Sequence, residues 1–169
     1  MTRRVFFFSL LTMIFLTACG STASDIKPPA AQLTIDGKTQ VAGVGTFCWQ
    51  EKNLFGQGAG LCADMIGIPT SPDPLKASVG AQADLKLPIA DAPAGLFVSV
   101  IPVAADGAME AELGDNSWWQ YQQGEPVEAQ LAAEQRLTLD FEPGLYLISV
   151  QARWDELGDV MYGFLVELN

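Results

Sequence analysis

The sequence predicts an all-β chain: an antiparallel β-sandwich with a Cys-linked hairpin near its N-terminus. Three observations predict it. Apolar residues recur at every second position along several short runs, which is the period of a half-buried strand. Pro- and Gly-rich clusters interrupt those runs at fairly even spacing, as turns do in sandwiches. Cys48 and Cys62 bracket a span holding Gly56, Gly58 and Gly60, the chemistry of a hairpin loop.

Residues 1–18 read as a leader and not as part of the fold. Arg3 and Arg4 give a short positive start, and Val5 to Leu16 is apolar apart from Ser9 and Thr12. That run is well short of the ~20 residues that a spanning helix needs. It closes in Leu16-Thr17-Ala18-Cys19, which resembles the lipobox of bacterial lipoproteins: an aliphatic residue, two small residues, then Cys. The resemblance implies cleavage before Cys19, diacylglycerol on its sulfur and an acyl chain such as palmitate on the new amino group. More than one chain anchors stably, where a single chain binds only marginally. In Gram-negative lipoproteins an Asp after the Cys marks inner-membrane retention, so Gly20 is compatible with the outer membrane. Thr2-Arg3-Arg4-Val5-Phe6-Phe7 also resembles part of a twin-arginine signal. Its short charged start and strongly apolar core favour the general secretory route.

Residues 19–31 read as a lipidated tether, with small residues, Pro28 and Pro29 and no apolar period. A single domain is expected over 32–169, with a disulfide hairpin region at 32–68 and a sandwich core at 76–169. Leu33 and Ile35 alternate, and Asp36-Gly37-Lys38 signals a turn. Val41 to Trp49 reads as a second strand bent at Gly43 and Gly45, and Gly60 to Met65 as its partner across the cysteines. Pro69 to Pro74 reads as a break. Strand period runs from Val79 to Ile89. Leu96 to Val103 is rich in Val and Ile, with Pro102 marking a bulge or an edge. Asp106 to Asn116 reads as an acidic loop, Ser117 to Tyr121 as a short aromatic strand, and Val127 to Leu131 as another strand. Residues 132–135 read as a turn or a brief helix. Leu137, Leu139 and Phe141 alternate, Glu142-Pro143-Gly144 turns, and Leu145 to Trp154 alternates throughout. Asp155 to Asp159 turns again, and Val160 to Leu168 closes a final hairpin.

Pro143-Gly144-Leu145-Tyr146 is similar to a strand entry of immunoglobulin-like domains, where a Tyr bonds back across the corner. Tyr146 takes that role, or is an ordinary half-buried strand residue. Gly45-Thr46-Phe47-Cys48-Trp49, Cys62-Ala63-Asp64, and Trp154, Gly158-Asp159, Tyr162 and Phe164 together resemble a group of uncharacterised bacterial surface lipoproteins. That resemblance implies a Cys-paired hairpin beside an immunoglobulin-like sandwich, and brings no catalytic residue.

The chain holds 20 Asp and Glu against 9 Lys and Arg, a formal charge of −11. Loss of Arg3 and Arg4 with the leader makes it more negative still. Nucleic acid and anionic membrane are poor partners for such a surface, apart from the lipid at Cys19. Cationic partners suit it better. With Cys19 taken by lipid, Cys48 and Cys62 remain as an even pair in an oxidising compartment and are read as a disulfide. A metal site is poorly served by two Cys without His. A redox pair is poorly served by a spacing other than C-x-x-C.

There is no His, which removes Ser-His-Asp and Cys-His nucleophiles and His-ligated zinc. No phosphate loop or dinucleotide fingerprint occurs, and no cofactor is expected. Two acidic loops invite a calcium reading: Asp106 with Glu110, Glu112 and Asp115, and Asp155 with Glu156 and Asp159. Neither has EF-hand spacing, and solvated turns explain both. Trp118, Trp119 and Tyr121 form a candidate binding face for an envelope protein or glycan. Adjacent strand residues point to opposite faces, so at most one of the two Trp belongs to the core. Trp49 is expected to pack on the disulfide region. The reading is a lipid-anchored extracytoplasmic binding or accessory module of the cell envelope, without catalysis. The alternatives are a structural or stress-related envelope lipoprotein, and a His-independent enzyme acting on glycans.

Overall fold

The computed structural model describes residues 26–52, 58–103, 109–113, 116–119, 125–129, 131 and 135–169. The leader and Cys19 lie outside them. The described residues are nearly all β, without an α-helix. The strands are β1 (Gln32–Ile35), β2 (Lys38–Val41), β3 (Gly43–Lys52), β4 (Gly58–Ala63), β5 (Ile68–Thr70), β6 (Leu75–Ala77) and β7 (Ala81–Lys86). They continue as β8 (Gly95–Pro102), β9 (Met109–Leu113), β10 (Asn116–Trp119), β11 (Val127–Ala129), β12 (Arg136–Leu139), β13 (Gly144–Trp154) and β14 (Gly158–Leu168).

Three sheets form. The largest runs β11-β8-β13-β14-β3-β4, with β6 joined in parallel to β14. A four-stranded sheet runs β12-β7-β1-β2, and a three-stranded sheet runs β5-β10-β9. Apart from β6, the pairings are antiparallel. The spine is the β13–β14 hairpin, paired without a slip from Gly144↔Leu168 to Trp154↔Gly158.

Over its middle that hairpin is buried on both faces, and the reason is written in its sequence. Val160-Met161-Tyr162-Gly163-Phe164-Leu165-Val166 is apolar at successive positions, which suits a strand covered on two sides. One face meets the four-stranded sheet: Ile148, Tyr162 and Phe164 pack with Leu33, Ile35 and Leu139. The other face meets the three-stranded sheet: Leu147, Met161 and Leu165 pack with Ile68 and Trp119. The second contact is unusually close at β5. A β-carbon added at Gly43 or Gly163 would overlap the Pro69 carbonyl, and one at Gly45 would crowd the Pro69 ring and the Met161 methyl. Small residues in two neighbouring strands thus make a floor for Pro69.

Several expectations change. Residues 26–31 are packed against the domain and are not a free tether. Ile26, Pro28 and Ala31 are buried, Tyr162 Oη donates to the Pro29 carbonyl at 2.9 Å, and the Ala42 amide donates to the Ala31 carbonyl. Apolar side chains and a buried phenol in need of an acceptor hold the arm down. The strand expected over Val41–Trp49 is two strands in two sheets, because the Asp36-Gly37 turn first returns β2 onto β1. Both turn residues have positive φ, 50° and 77°, as a two-residue hairpin turn demands. The β1 strand lies between β2 and β7, so residues 32–41 are integral to the sandwich-like core. The Pro69–Pro74 break contains the end of β5, an edge strand where Pro costs no ladder bond. The acidic loop over 106–116 contains β9. Pro102 closes β8 opposite Tyr146 without a register shift. The turn or helix expected at 132–135 lies almost wholly outside the described residues.

Candidate functional site

The three-stranded sheet covers only part of the outer face of the large sheet. The rest of that face is open. Directly opposed residues share a face in an antiparallel sheet, which places Cys62, Cys48, Asp159 and Arg153 in one row. Met161, Gln151 and Phe97 form the next. On these rows lies a shallow concavity of about 430 Å³, lined by Thr46, Asp64, Phe97, Gln151, Arg153 and Asp159 among others.

Among the described residues Phe97 is its one aromatic, and 63% of it is exposed. Its β8 neighbours Val98 and Val100 point into the main core, so the period of two turns Phe97 outward. Thr46 fixes one wall: its hydroxyl lies 3.3 Å from Asp64 Oδ1, and it accepts from the Met65 amide at 3.1 Å. Arg153 reaches Asp155 at 3.7 Å, with both side chains largely in solvent. The concavity therefore offers an exposed ring, a guanidinium, an amide, a hydroxyl and two carboxylates. Such a set orients a polar ligand by hydrogen bonds and a ring contact.

The residues picked out from the sequence fall elsewhere or at its rim. Cys48 and Cys62 form a disulfide across β3 and β4, exposed on the same outer face. Trp119 belongs to the core: it is buried, and its indole N–H donates to Thr70 Oγ1 at 3.0 Å. The pairing of β10 with both β5 and β9 carries Trp119 under the small sheet, which removes it from any open binding face. Trp118 is half-buried, and its indole nitrogen has no hydrogen-bond partner among the described residues. Tyr121 lies outside the described residues, as do Asp106 and Asp115. Asp155 and Glu156 lie in the β13–β14 turn, while Asp159 lies in β14 opposite Arg153 and reaches the concavity. Among the described residues no group of three or more His, Cys, Asp or Glu converges to hold a metal ion. Among them, too, no helix is long and apolar enough to cross a membrane.

Trp49 packs edge-on against Trp154, with ring centres 5.9 Å apart, on the core side of the disulfide strand. Trp154 in turn donates to the Asp91 carbonyl at 3.0 Å. Tyr146 makes the corner bond that its sequence context suggested, donating to the Glu142 carbonyl at 2.7 Å. Burial pushes the Tyr162 phenol above its ordinary range. Phe97, Gln151 and Arg153 were not singled out by sequence. Their signal was present as the outward half of each alternating strand, but nothing local distinguished it from ordinary solvent-facing positions.

No family model matches the chain, no curated protein matches it, and no solved structure matches its fold.

Proposed function

We propose that the chain is a lipid-anchored binding or accessory module of a bacterial cell envelope, facing outside the cytoplasm and acting without catalysis. The observation that carries this reading is the ordered leader: Arg3-Arg4, an apolar core, then Leu16-Thr17-Ala18-Cys19. The Cys48–Cys62 disulfide is in keeping with an oxidising compartment. Ile26 is part of the packed arm, and seven Cα-to-Cα steps lead to it from Cys19. Fully extended they reach about 25 Å, which keeps the domain close to the lipid surface. The Tyr146 corner bond favours the immunoglobulin-like form of the sandwich and the kinship with surface lipoproteins. Within that frame the concavity at Phe97 and Arg153 is the place of binding, and an envelope protein or a glycan suits its mixture of ring and polar groups.

Mass spectrometry of the protein from its native membrane tests the anchor. A diacylglyceryl and acyl mass on a peptide beginning at Cys19, lost with release into the soluble fraction in Cys19→Ser, supports it. An unmodified Cys19 overturns it. Cross-linking capture from intact cells tests the binding part. A recurrent envelope component lost in Phe97→Ala and Arg153→Ala, with the fold intact, supports that site. A capture that both variants leave unchanged moves the contact away from this concavity, and an empty capture argues for the second reading, a structural or stress-related envelope lipoprotein without a discrete ligand.

A further inference from the structure

Open sheet edges present unpaired backbone groups, and proteins blunt them with charges, Pro, bulges or shortness. Among the described residues seven strands have an open edge, and six are blunted, β6 among them by its length of three residues and by Lys76. β11 is three residues long and carries Glu128, β2 carries Lys38, β12 carries Arg136, β5 contains Pro69, and β9 contains Glu110 and Glu112. β4 is the exception. From Gly58 to Ala63 its sequence is Gly-Ala-Gly-Leu-Cys-Ala, without a charge or a Pro, and its pairing with β3 has no bulge. Among the described residues, no strand pairs with its outer side.

The direction of its free groups follows from one bond. The Gln50 amide donates to the Leu157 carbonyl at 2.8 Å, away from β4. Gln50 and Gly60 therefore face each other as a pair that exchanges no hydrogen bonds, and the same holds two residues away at Cys48 and Cys62. The short Cα separation of that Cys pair, 4.0 Å, agrees. Gly58, Gly60 and Cys62 thus turn their N–H and C=O groups outward, while Ala59, Leu61 and Ala63 hold β4 to β3.

This outward row is complementary to itself. Antiparallel pairing about Gly60 sets Gly58 of one copy against Cys62 of the other, and Gly60 against Gly60. Each such pair exchanges two bonds, about six in all. Two of the three positions have no side chain, so nothing bulky meets at the two-fold axis. The strand is also an uncharged stretch on a chain with 20 acidic residues, where two copies meet with least repulsion. The disulfide to Cys48 keeps the strand in register and ready to pair.

We propose that the outer edge of β4 pairs with the same edge of a second copy of this chain, joining the two large sheets into one through a two-fold, isologous contact. Six residues a side is well under the ~20–30 of a standard interface, so the association is weak, with a Kd of roughly 1–100 µM.

Sedimentation equilibrium of the full chain in detergent tests this. A monomer–dimer equilibrium is expected. Gly60→Pro removes the central outward N–H without touching a bond to β3, and is expected to weaken dimerisation at least about tenfold. Gly60→Ala keeps that N–H and is expected to keep the dimer. A chain that stays monomeric at about 100 µM, or a dimer that Gly60→Pro leaves unchanged, overturns the proposal. Amide exchange on the unaltered chain covers the case in which Gly60→Pro fails to fold. Exchange at Gly60 and Cys62 is expected to slow as concentration rises, and rates independent of concentration overturn the proposal equally.

Discussion

The Pro69 carbonyl rests on Gly163 so closely that a β-carbon there would overlap it. This contact seats the three-stranded sheet on the outer face of β14, and it leaves no flexible side chain to give way. Gly163→Ala is expected to cost about 1–3 kcal/mol, the usual range for overpacking a closed contact. Gly95→Ala is the control. Its β-carbon would meet Phe97 and Arg153 only at 3.7 and 3.8 Å, ordinary contact, and its effect should stay within about 0.5 kcal/mol. Urea unfolding of the two variants checks both values. Equal stability of the two would remove the glycine floor as the reason for the close approach.

Tyr146 ties the start of β13 to the turn before it through the Glu142 carbonyl at 2.7 Å, while its ring leans on Phe141 with centres 5.6 Å apart. Tyr146→Phe keeps the ring and removes the hydroxyl, so it isolates the bond. The expected loss is about 0.5–1.5 kcal/mol. A denaturation midpoint identical to that of the unaltered chain would mean that water replaces the corner bond at no cost.

How far the fold was legible depended on whether strand chemistry and strand period agreed. They agree in β13 and β14, where long runs of β-forming residues flank a turn, and in β1–β2, where Asp36-Gly37 specifies the hairpin. They disagree at β5. Ile68-Pro69-Thr70 sits at the head of a Pro-rich stretch that reads as a breaker, and what makes it a strand is the glycine floor from distant β3 and β14. β9 was hidden because Glu110 and Glu112 read as loop charges although they alternate with Met109, Ala111 and Leu113. The arm at 26–31 looked like tether because Pro28 and Pro29 mimic one, and only the fold supplies the Tyr162 hydroxyl that holds it. The concavity was least legible of all. It lies on the part of one sheet that another leaves open, a relation between layers that no local pattern encodes.

The two adjacent tryptophans should part company under mutation. Trp119 fills the second core and bonds Thr70, so Trp119→Ala is expected to cost about 3–5 kcal/mol. Trp118 is half-buried, and its indole nitrogen lacks a partner among the described residues. Its removal therefore discards an unsatisfied donor along with some packing, and about 1–2 kcal/mol is expected. Thermal or urea melts of both variants decide it. A reversed order would mean that β10 presents its faces the other way round.

Tyr162 gives the fold a stability limit on the alkaline side. Its hydroxyl is buried, bonded to Pro29, and held above its ordinary pKa by desolvation. The folded chain therefore keeps this proton at a pH where the unfolded chain, titrating near 10, gives it up. Above that point the unfolded state binds fewer protons than the native one, so stability falls as pH rises. Between neutrality and about pH 9 this group contributes no slope. From about pH 10 upward its contribution should drop by as much as about 1.4 kcal/mol per unit. Tyr162→Phe should lose about 1 kcal/mol at pH 7 from the missing bond. It should also show a shallower alkaline decline than the unaltered chain. Urea unfolding of the pair at pH 7, 9, 10 and 11 measures the difference. Parallel curves across that range would mean that the phenol ionises in the folded chain as readily as in the unfolded one.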